Sequence, residues 1–566
     1  MGRALPRASR AFKWRRTLYE LTHDVVVDLG CHGMPGFHLI VDSDPSISQA
    51  LTLLNASSLS RFGILTPTPA RLILHFDPCQ LDGTLRLLIV GAGGTADEAS
   101  ITALDSRLTS VDILVGGHRN HIDVNLGSSV RLIEISGKST CYLDFDFEAS
   151  SRPRQPLLID ARQSSGLVAV FVADRYTRDF TLLGSRDPES QTLLGLQVTG
   201  AAGLPRLERV QGLILQKGSN GSLDLGGNPE ITHLELQPLG SRPGEDRAFA
   251  SLFDVPRLRS ALFVGGGDPG PQRFPGLLLG GQATLPGRAD VLDVSYENRG
   301  TALADGSGLS HADPLRFDGA EQVRIDATSA IGGHGDWSLP GLIGDCLQQV
   351  VLTNPSLGHS DLGLLRAGSG PGRGSLQRLD ASAVSGPLRL LIAADSLAPG
   401  ATLIGGSGGV SFDWIPTDTD GPLSVLTGDG DDEIVFGGTA ATITSGLGRD
   451  RFRQAAANGG QLDRLTTLNP SDSGPSNDVI ELMWGGVNDR RMMLQGSGDA
   501  ADFCRQVQLK IQQNSAASGL YVETMAGASG PVTYAYLNSG QQGFDHLFAL
   551  PGVHSPGLLG TTLSLG

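Results

Sequence analysis

The chain has 566 residues, of which 77 are glycine, nearly twice the usual share of about 7%. Hydrophobic residues make up 40% and charged residues 18%, so a buried core is within reach, and the glycines follow no strict three-residue period, which excludes collagen. A formal charge of −16 argues against a nucleic-acid or anionic-membrane binder, and no apolar run reaches the roughly 18 residues needed to cross a bilayer.

The N-terminus is basic (Arg3, Arg7, Arg10, Lys13, Arg15, Arg16) with no apolar stretch behind it, so a cleaved secretory signal is expected to be absent. Residues 1–70 read as a partly disordered or helical segment, with Ser46 to Leu59 as one short helix. From 71 to 400 the pattern is many short strands with tight turns: Arg71–His75, Leu87–Val90, Leu167–Val172 and Leu388–Ile392 are apolar runs with Gly, Ser, Asp, Asn or Pro close by. Long amphipathic helical patterns are nearly missing. Leu87–Ala96 carries Gly91-x-Gly93-x-x-Ala96 with Asp112 further on, a superficial dinucleotide fingerprint. The Thr, Ser and β-branched residues from Ile101 to Val115 make a poor helix, so a tight glycine turn is the better reading. His118, His121 and Asp123 have spacing that a transition metal could use, but scattered surface polar residues are by far the better reading. Asp144 and Asp146 share one face of a strand, as a general acid and base on a β-helical polysaccharide enzyme would, or as solvated edge charges would.

The five cysteines (Cys31, Cys79, Cys141, Cys346, Cys504) are far apart and show no CxxC, so they read as small buried hydrophobes rather than disulfides or a zinc site. No HExxH is present among the 12 histidines. Internal similarity is more telling. Ile159–Gly166 and Leu379–Gly386 both carry an Asp-Ala core followed by an apolar run, and Ile325-Asp-Ala-Thr328 repeats the first half. Thr181-Leu-Leu-Gly184 and Thr402-Leu-Ile-Gly405 follow at nearly equal spacing. Units of this size bury their apolar faces by stacking, which predicts an all-β, elongated parallel β-solenoid body.

Residues 427–435 (Thr-Gly-Asp-Gly-Asp-Asp-Glu-Ile-Val) and 445–453 (Ser-Gly-Leu-Gly-Arg-Asp-Arg-Phe-Arg) fit a nine-residue template, G-G-x-G-x-D-x-U-x, with only the first Gly replaced. Phe436–Thr444 keeps the period between them without the Asp, so Ile434, Ile443 and Phe452 are evenly spaced and point inward. Two such turns complete one coil, which places Asp432 and Asp450 on the same edge of successive coils. With turn carbonyls near Gly428, Gly430, Gly446 and Gly448 they form an oxygen-only cage. That chemistry suits Ca²⁺ and not zinc or copper. Ala441 stands where the opposite edge would need an Asp, and Val410 replaces it upstream after Gly405–Gly409, so one site is expected. Further on, Phe503, Val507 and Ile511 fall on one helix face, and Gly519–Val522 and Val532–Leu537 read as strands, a small α+β C-terminal cap.

Residues 401–453 resemble the hemolysin-type calcium-binding repeats of RTX (repeats-in-toxin) proteins. Leu462–Leu465 with Asn477–Leu482 looks like the segment that often follows such repeats, and Val532–Leu537 with Gly543–Asp545 and Leu550–Val553 is similar to the C-terminal ends of secreted RTX-type bacterial proteins. The run from Asp380 to Gly408 is also similar to the body of surface-layer proteins bearing these repeats. Four regions are expected: 1–70 and the solenoid 71–400 from the residue pattern, and from the resemblance a calcium-binding roll 401–455 and a secretion-type cap 456–566. It further implies export by a C-terminal, uncleaved signal through a type I-like route. The expectation is therefore a secreted, non-catalytic, calcium-binding structural or adhesive surface protein. Its expected partners are calcium, cell-surface polysaccharide or copies of itself, with no nucleic acid. An RTX-carrying polysaccharide-active enzyme is the alternative, and a cytoplasmic oxidoreductase built on 87–112 a third.

Overall fold

The computed structural model describes residues 4–5, 16–21, 23–29, 38–43, 50–57, 60–64, 71–76, 83–92, 99–148, 156–172, 180–196, 201–216, 222–237, 249–253, 258–265, 272–274, 276–280, 290–298, 309–311, 314–317 and 319–327. It continues through 337–354, 359–368, 374–393, 395–414, 423–436, 440–454, 466–469, 479–482, 491–493, 500–513, 519–538, 546–551, 557–559 and 562–564. The chain is nearly all β and forms a parallel β-solenoid, as the repeats predict. It divides into two compact units, Met1–Leu258 and Arg259–Gly566.

In the first unit the chain alternates between two parallel ladders. One contains Thr84–Val90, Ser110–Gly116, Leu132–Gly137, Leu157–Ser164 and Phe180–Leu183 in order. The other contains Val25–Asp28, Ala50–Ala56, Arg71–Phe76, Ala99–Ala103, Arg119–Leu126, Thr140–Phe147, Val168–Val172 and Thr192–Leu196. Strand residues alternate inward and outward, and the inward ones line up coil on coil. Leu85, Val111, Ile133, Ile159 and Leu182 are level with one another and at most 1% exposed. Each such buried side chain contributes about 1.5–3 kcal/mol through burial. Stacking is what completes this core, since no single coil encloses one.

Two expectations are corrected here and one is met. Within Ser46–Leu59 the described residues form strand Ala50–Ala56, not a helix. Its inward Leu51 and Leu53 pair level with Val25 and Val27, and this period-two burial outweighs the helix propensity of Ala and Leu. After strand Thr84–Val90, Gly91 turns with φ +66° and the next described element is strand Ala99–Ala103, in line with the tight glycine turn preferred over a dinucleotide site. Cys141 and Cys504 are buried as expected, with burial pushing their thiols up to about 12 and about 11, but Cys346 is exposed; Cys31 and Cys79 lie outside the described residues.

The second unit repeats the plan. One ladder runs through Gln322–Asp326, Gln349–Asn354, Leu376–Val384, Leu397–Ile404, Leu423–Leu426, Ala441–Thr444 and Thr466–Asn469. Its inward column of Val323, Val350, Leu379, Leu403, Val425, Ile443 and Leu468 is fully buried. The facing ladder holds Leu388–Ile392, Val410–Trp414, Glu433–Phe436, Arg451–Gln454 and Val479–Leu482, with Leu390, Phe412, Ile434 and Phe452 stacked inward. The C-terminal stretch holds helix Ala500–Gln513 and the antiparallel strands Gly519–Gly527, Gly530–Asn538 and His546–Pro551. Phe503 and Val507 of the helix pack with Tyr521, Tyr536 and Leu547, as the sequence spacing predicts; the side chain of Ile511 lies outside the described residues.

The distant repeats have the same rung-level geometry. Leu158, Ile159 and Asp160 pair with Thr181, Leu182 and Leu183, and Arg378, Leu379 and Asp380 pair with Thr402, Leu403 and Ile404. In both, the Asp supports a local bulge: Asp160 Oδ1 accepts the Arg162 N–H at 3.0 Å and Asp380 Oδ1 accepts the Ser382 N–H at 3.1 Å.

Candidate metal centre

Asp432 and Asp450 each sit immediately before a strand of the facing ladder. Glu433 pairs with Arg451 and Ile434 with Phe452, so the two aspartates occupy the same rung position on successive coils. Both are buried, at 2% and 0% exposure. In-register neighbours on adjacent parallel strands lie about 4.8 Å apart. Ile434, Ile443 and Phe452 are fully buried, the inward orientation that the nine-residue period predicts.

Each carboxylate also holds the coil before it. Asp432 Oδ1 accepts the Val410 N–H at 2.7 Å, and Asp450 Oδ1 accepts the Asp432 N–H at 3.1 Å. Val410 thus occupies the rung next to Asp432 and supplies a backbone donor but no carboxylate. Two further turn aspartates reach the other way. Asp429 Oδ1 accepts the Leu447 N–H at 3.1 Å and Asp431 Oδ1 accepts the Arg449 N–H at 2.9 Å. Ala441, at the start of its strand on the opposite ladder, is buried at 4% and offers no oxygen from its side chain.

The remaining oxygens bear on an ion. Asp432 Oδ2, Asp450 Oδ2, Thr427 Oγ1 and Ser445 Oγ are all buried, and the Thr427 hydroxyl lies close enough to the Asp432 carboxyl to favour its charged form. Leu426 pairs with Thr444, so Thr427 and Ser445 are level, just as the two aspartates are. Each turn therefore opens on a buried hydroxyl and closes on a buried carboxylate. Burial pushes the Asp432 carboxyl up to about 7. The Thr427 hydroxyl and the Val410 N–H oppose that rise, and the charges of Asp450 and Asp431 add to it. A bound cation would reverse the balance and fix Asp432 as the anion.

The glycines have a packing role. A Cβ on Gly446 would lie 2.1 Å from Gly428 O, and one on Gly448 would lie 2.1 Å from Gly430 O. The Gly428 and Gly430 carbonyls thus lie close against the glycines of the next coil. Gly428 and Gly430 themselves take φ of +85° and +112°, a region that favours glycine.

The donor chemistry fits a hard cation. It comprises the Asp432 and Asp450 carboxylates with the Thr427 and Ser445 hydroxyls, and no nitrogen or sulfur atom belongs to it. No group of three or more His, Cys, Asp or Glu placed to hold a metal occurs among the described residues, so carbonyls or water would supply the other ligands. Thr427 and Ser445 were legible in principle: they are the two residues that replace the first Gly of the template, and both replacements are hydroxyls.

Elsewhere, His121 and Asp123 share an outward face, with the His121 ring 5.9 Å from that of Tyr142; His118 is exposed just before the strand. Asp144 and Asp146 share the outward face of Thr140–Phe147, level with Asp123 and Asn125. No protein-family model matches the chain, and no curated protein matches it. Among the described residues no helix is long and apolar enough to cross a membrane.

Proposed function

We propose that the protein is a secreted calcium-binding structural or adhesive protein of the cell surface, non-catalytic and exported by a type I-like route. The single observation behind this reading is the pair of level turns, Thr427–Asp432 and Ser445–Asp450, each bringing a buried hydroxyl and a buried carboxylate to the same rung of successive coils. Ca²⁺ would be held by Asp432 and Asp450 with support from Thr427 and Ser445. It would neutralise two buried carboxylates and bind only the folded coils, stabilising them by about 2.7 kcal/mol at a 100-fold excess over Kd. The long, regular ladders suit a scaffold whose outer faces meet cell-surface polysaccharide or further copies of the chain. The deciding experiment is calcium titration of the secreted protein followed by circular dichroism and thermal melting. A rise in Tm that EDTA reverses is expected; a protein retained in the cell and indifferent to calcium overturns the reading.

One observation favours a second reading, a polysaccharide-active enzyme. Asp123 is level with Asp144, and Asn125 with Asp146, on one outward face. Loss of glycan-cleaving activity in Asp144→Asn with an unchanged melting curve would favour it over the scaffold.

A further inference from the structure

Both ladders of the second unit end on strands from the far C-terminal stretch, and the attachments are short. Thr466–Asn469 joins His546–Pro551 over two rungs, Thr466 with Phe548 and Thr467 with Ala549. Val479–Leu482 joins Thr562–Ser564 over three antiparallel rungs, Val479 with Ser564, Ile480 with Leu563 and Glu481 with Thr562. By contrast, the C-terminal strands hold one another over many more rungs: Gly519–Gly527 pairs along its whole length with Gly530–Asn538. The sheet of Gly519–Gly527, Gly530–Asn538 and His546–Pro551 is thus firm within itself and tied to the coils over two rungs, while Gly557–Leu559 and Thr562–Ser564 form a separate antiparallel pair tied over three.

The seats of those two attachments rest on one turn. Thr466–Asn469 lies on Ala441–Thr444, and Val479–Leu482 lies on Arg451–Gln454. The segment joining Ala441–Thr444 to Arg451–Gln454 is 445–450, the turn that begins at Ser445 and ends at Asp450. Its seat on the preceding turn is tight, with Gly446 and Gly448 against the Gly428 and Gly430 carbonyls, and it is continuous in the chain with both strands that carry the seats of the attachments.

We propose that cation occupancy between the 427–432 and 445–450 turns controls docking of two C-terminal elements, the antiparallel sheet of 519–551 and the strand pair Gly557–Leu559 with Thr562–Ser564, onto the coil stack. The proposal rests on the calcium reading above and adds what the ion regulates. In a stacked fold each coil is coupled chiefly to its neighbours. When the ion leaves, the buried carboxylates repel, turn 445–450 loses its register, and both seats move together. Two rungs then hold the antiparallel sheet, and three hold the separate pair of strands Gly557–Leu559 and Thr562–Ser564, against a displaced platform, and both release together.

Hydrogen exchange of the full-length protein, in calcium and in EDTA, alongside direct calcium binding by calorimetry, tests this. Chelation is expected to raise exchange in 466–469, 479–482 and 546–564 together and to leave 110–137 unchanged. Asp450→Asn, which keeps an acceptor for the Asp432 N–H, is expected to show the chelated pattern even in calcium. Because coupling is reciprocal, Phe548→Ala, which thins the fully buried attachment, should weaken calcium affinity by about fivefold or more. Calcium binding that alters exchange only in 427–450, or an unchanged affinity in folded Phe548→Ala, overturns the proposal and leaves the calcium reading intact. Absence of calcium binding overturns both. Should Phe548→Ala not fold, the exchange pattern of the unmutated chain decides.

Discussion

Asp432 carries a conflict that a cation would resolve. Its folded-state carboxyl, pushed up to about 7 by burial, binds a proton more tightly than the same group in the unfolded chain. The native state therefore holds the extra proton between about pH 4 and 7, and without calcium stability should fall as pH rises through that window and level off above it. The expected loss is on the order of a few kcal/mol, at about 1.4 kcal/mol for each tenfold gain in proton affinity on folding. Melting in EDTA from pH 4 to 8 should show this slope, and saturating calcium should flatten it. Asp432→Asn separates the two roles of the side chain. Its amide oxygen still accepts the Val410 N–H, so at pH 8 in EDTA the variant should melt higher than the parent, while the calcium-induced rise in Tm disappears. A variant that melts lower than the parent under both conditions would show that the carboxylate has a different role.

At the scale of a single strand and its turn, close approach sets the limits. A methyl group on Gly446 meets the Gly428 carbonyl, a backbone atom that cannot swing aside, so Gly446→Ala should cost more than about 2 kcal/mol in urea unfolding, well above the usual effect of exchanging glycine in a helix or strand. An unchanged urea midpoint would mean that neighbouring coils slide more freely than their register implies. Much of this level was legible beforehand. The nine-residue spacing of Ile434, Ile443 and Phe452 gave the inward column, and the Asp-Ala repeats at 160 and 380 gave a shared rung pattern. The use of each Asp Oδ1 was not legible. Whether a turn carboxylate points forward, as in Asp429 and Asp431, or backward, as in Asp432 and Asp450, depends on which amide of the adjoining coil faces it, and no linear spacing encodes that. Strand Ala50–Ala56 escaped for a related reason: its alternation is short, and its partners at 25–28 and 71–76 are distant in sequence.

For the whole molecule, stacking makes stability a local property repeated many times. The solenoid was legible because a repeat reports its own architecture, whereas the division at Leu258 was not, since no linker composition marks it. If each unit behaves by itself, calcium should rescue damage only near its own coils. Ile443→Ala and Val111→Ala remove similar fully or almost fully buried side chains, each at a cost of about 2–4 kcal/mol. Saturating calcium should restore much of the lost unfolding midpoint for Ile443→Ala and none for Val111→Ala, read by local hydrogen exchange. Equal rescue of both would mean that the chain unfolds as one cooperative block.

The lap from Glu433 to Asp450 begins and ends at the same rung, since Glu433 pairs with Arg451. A tandem genetic duplication of that stretch therefore adds one complete storey without disturbing the floors above or below. Each new storey would bring its own hydroxyl, its own carboxylate and one more berth for an ion, so the height of this tower can grow in steps that the existing masonry already accepts.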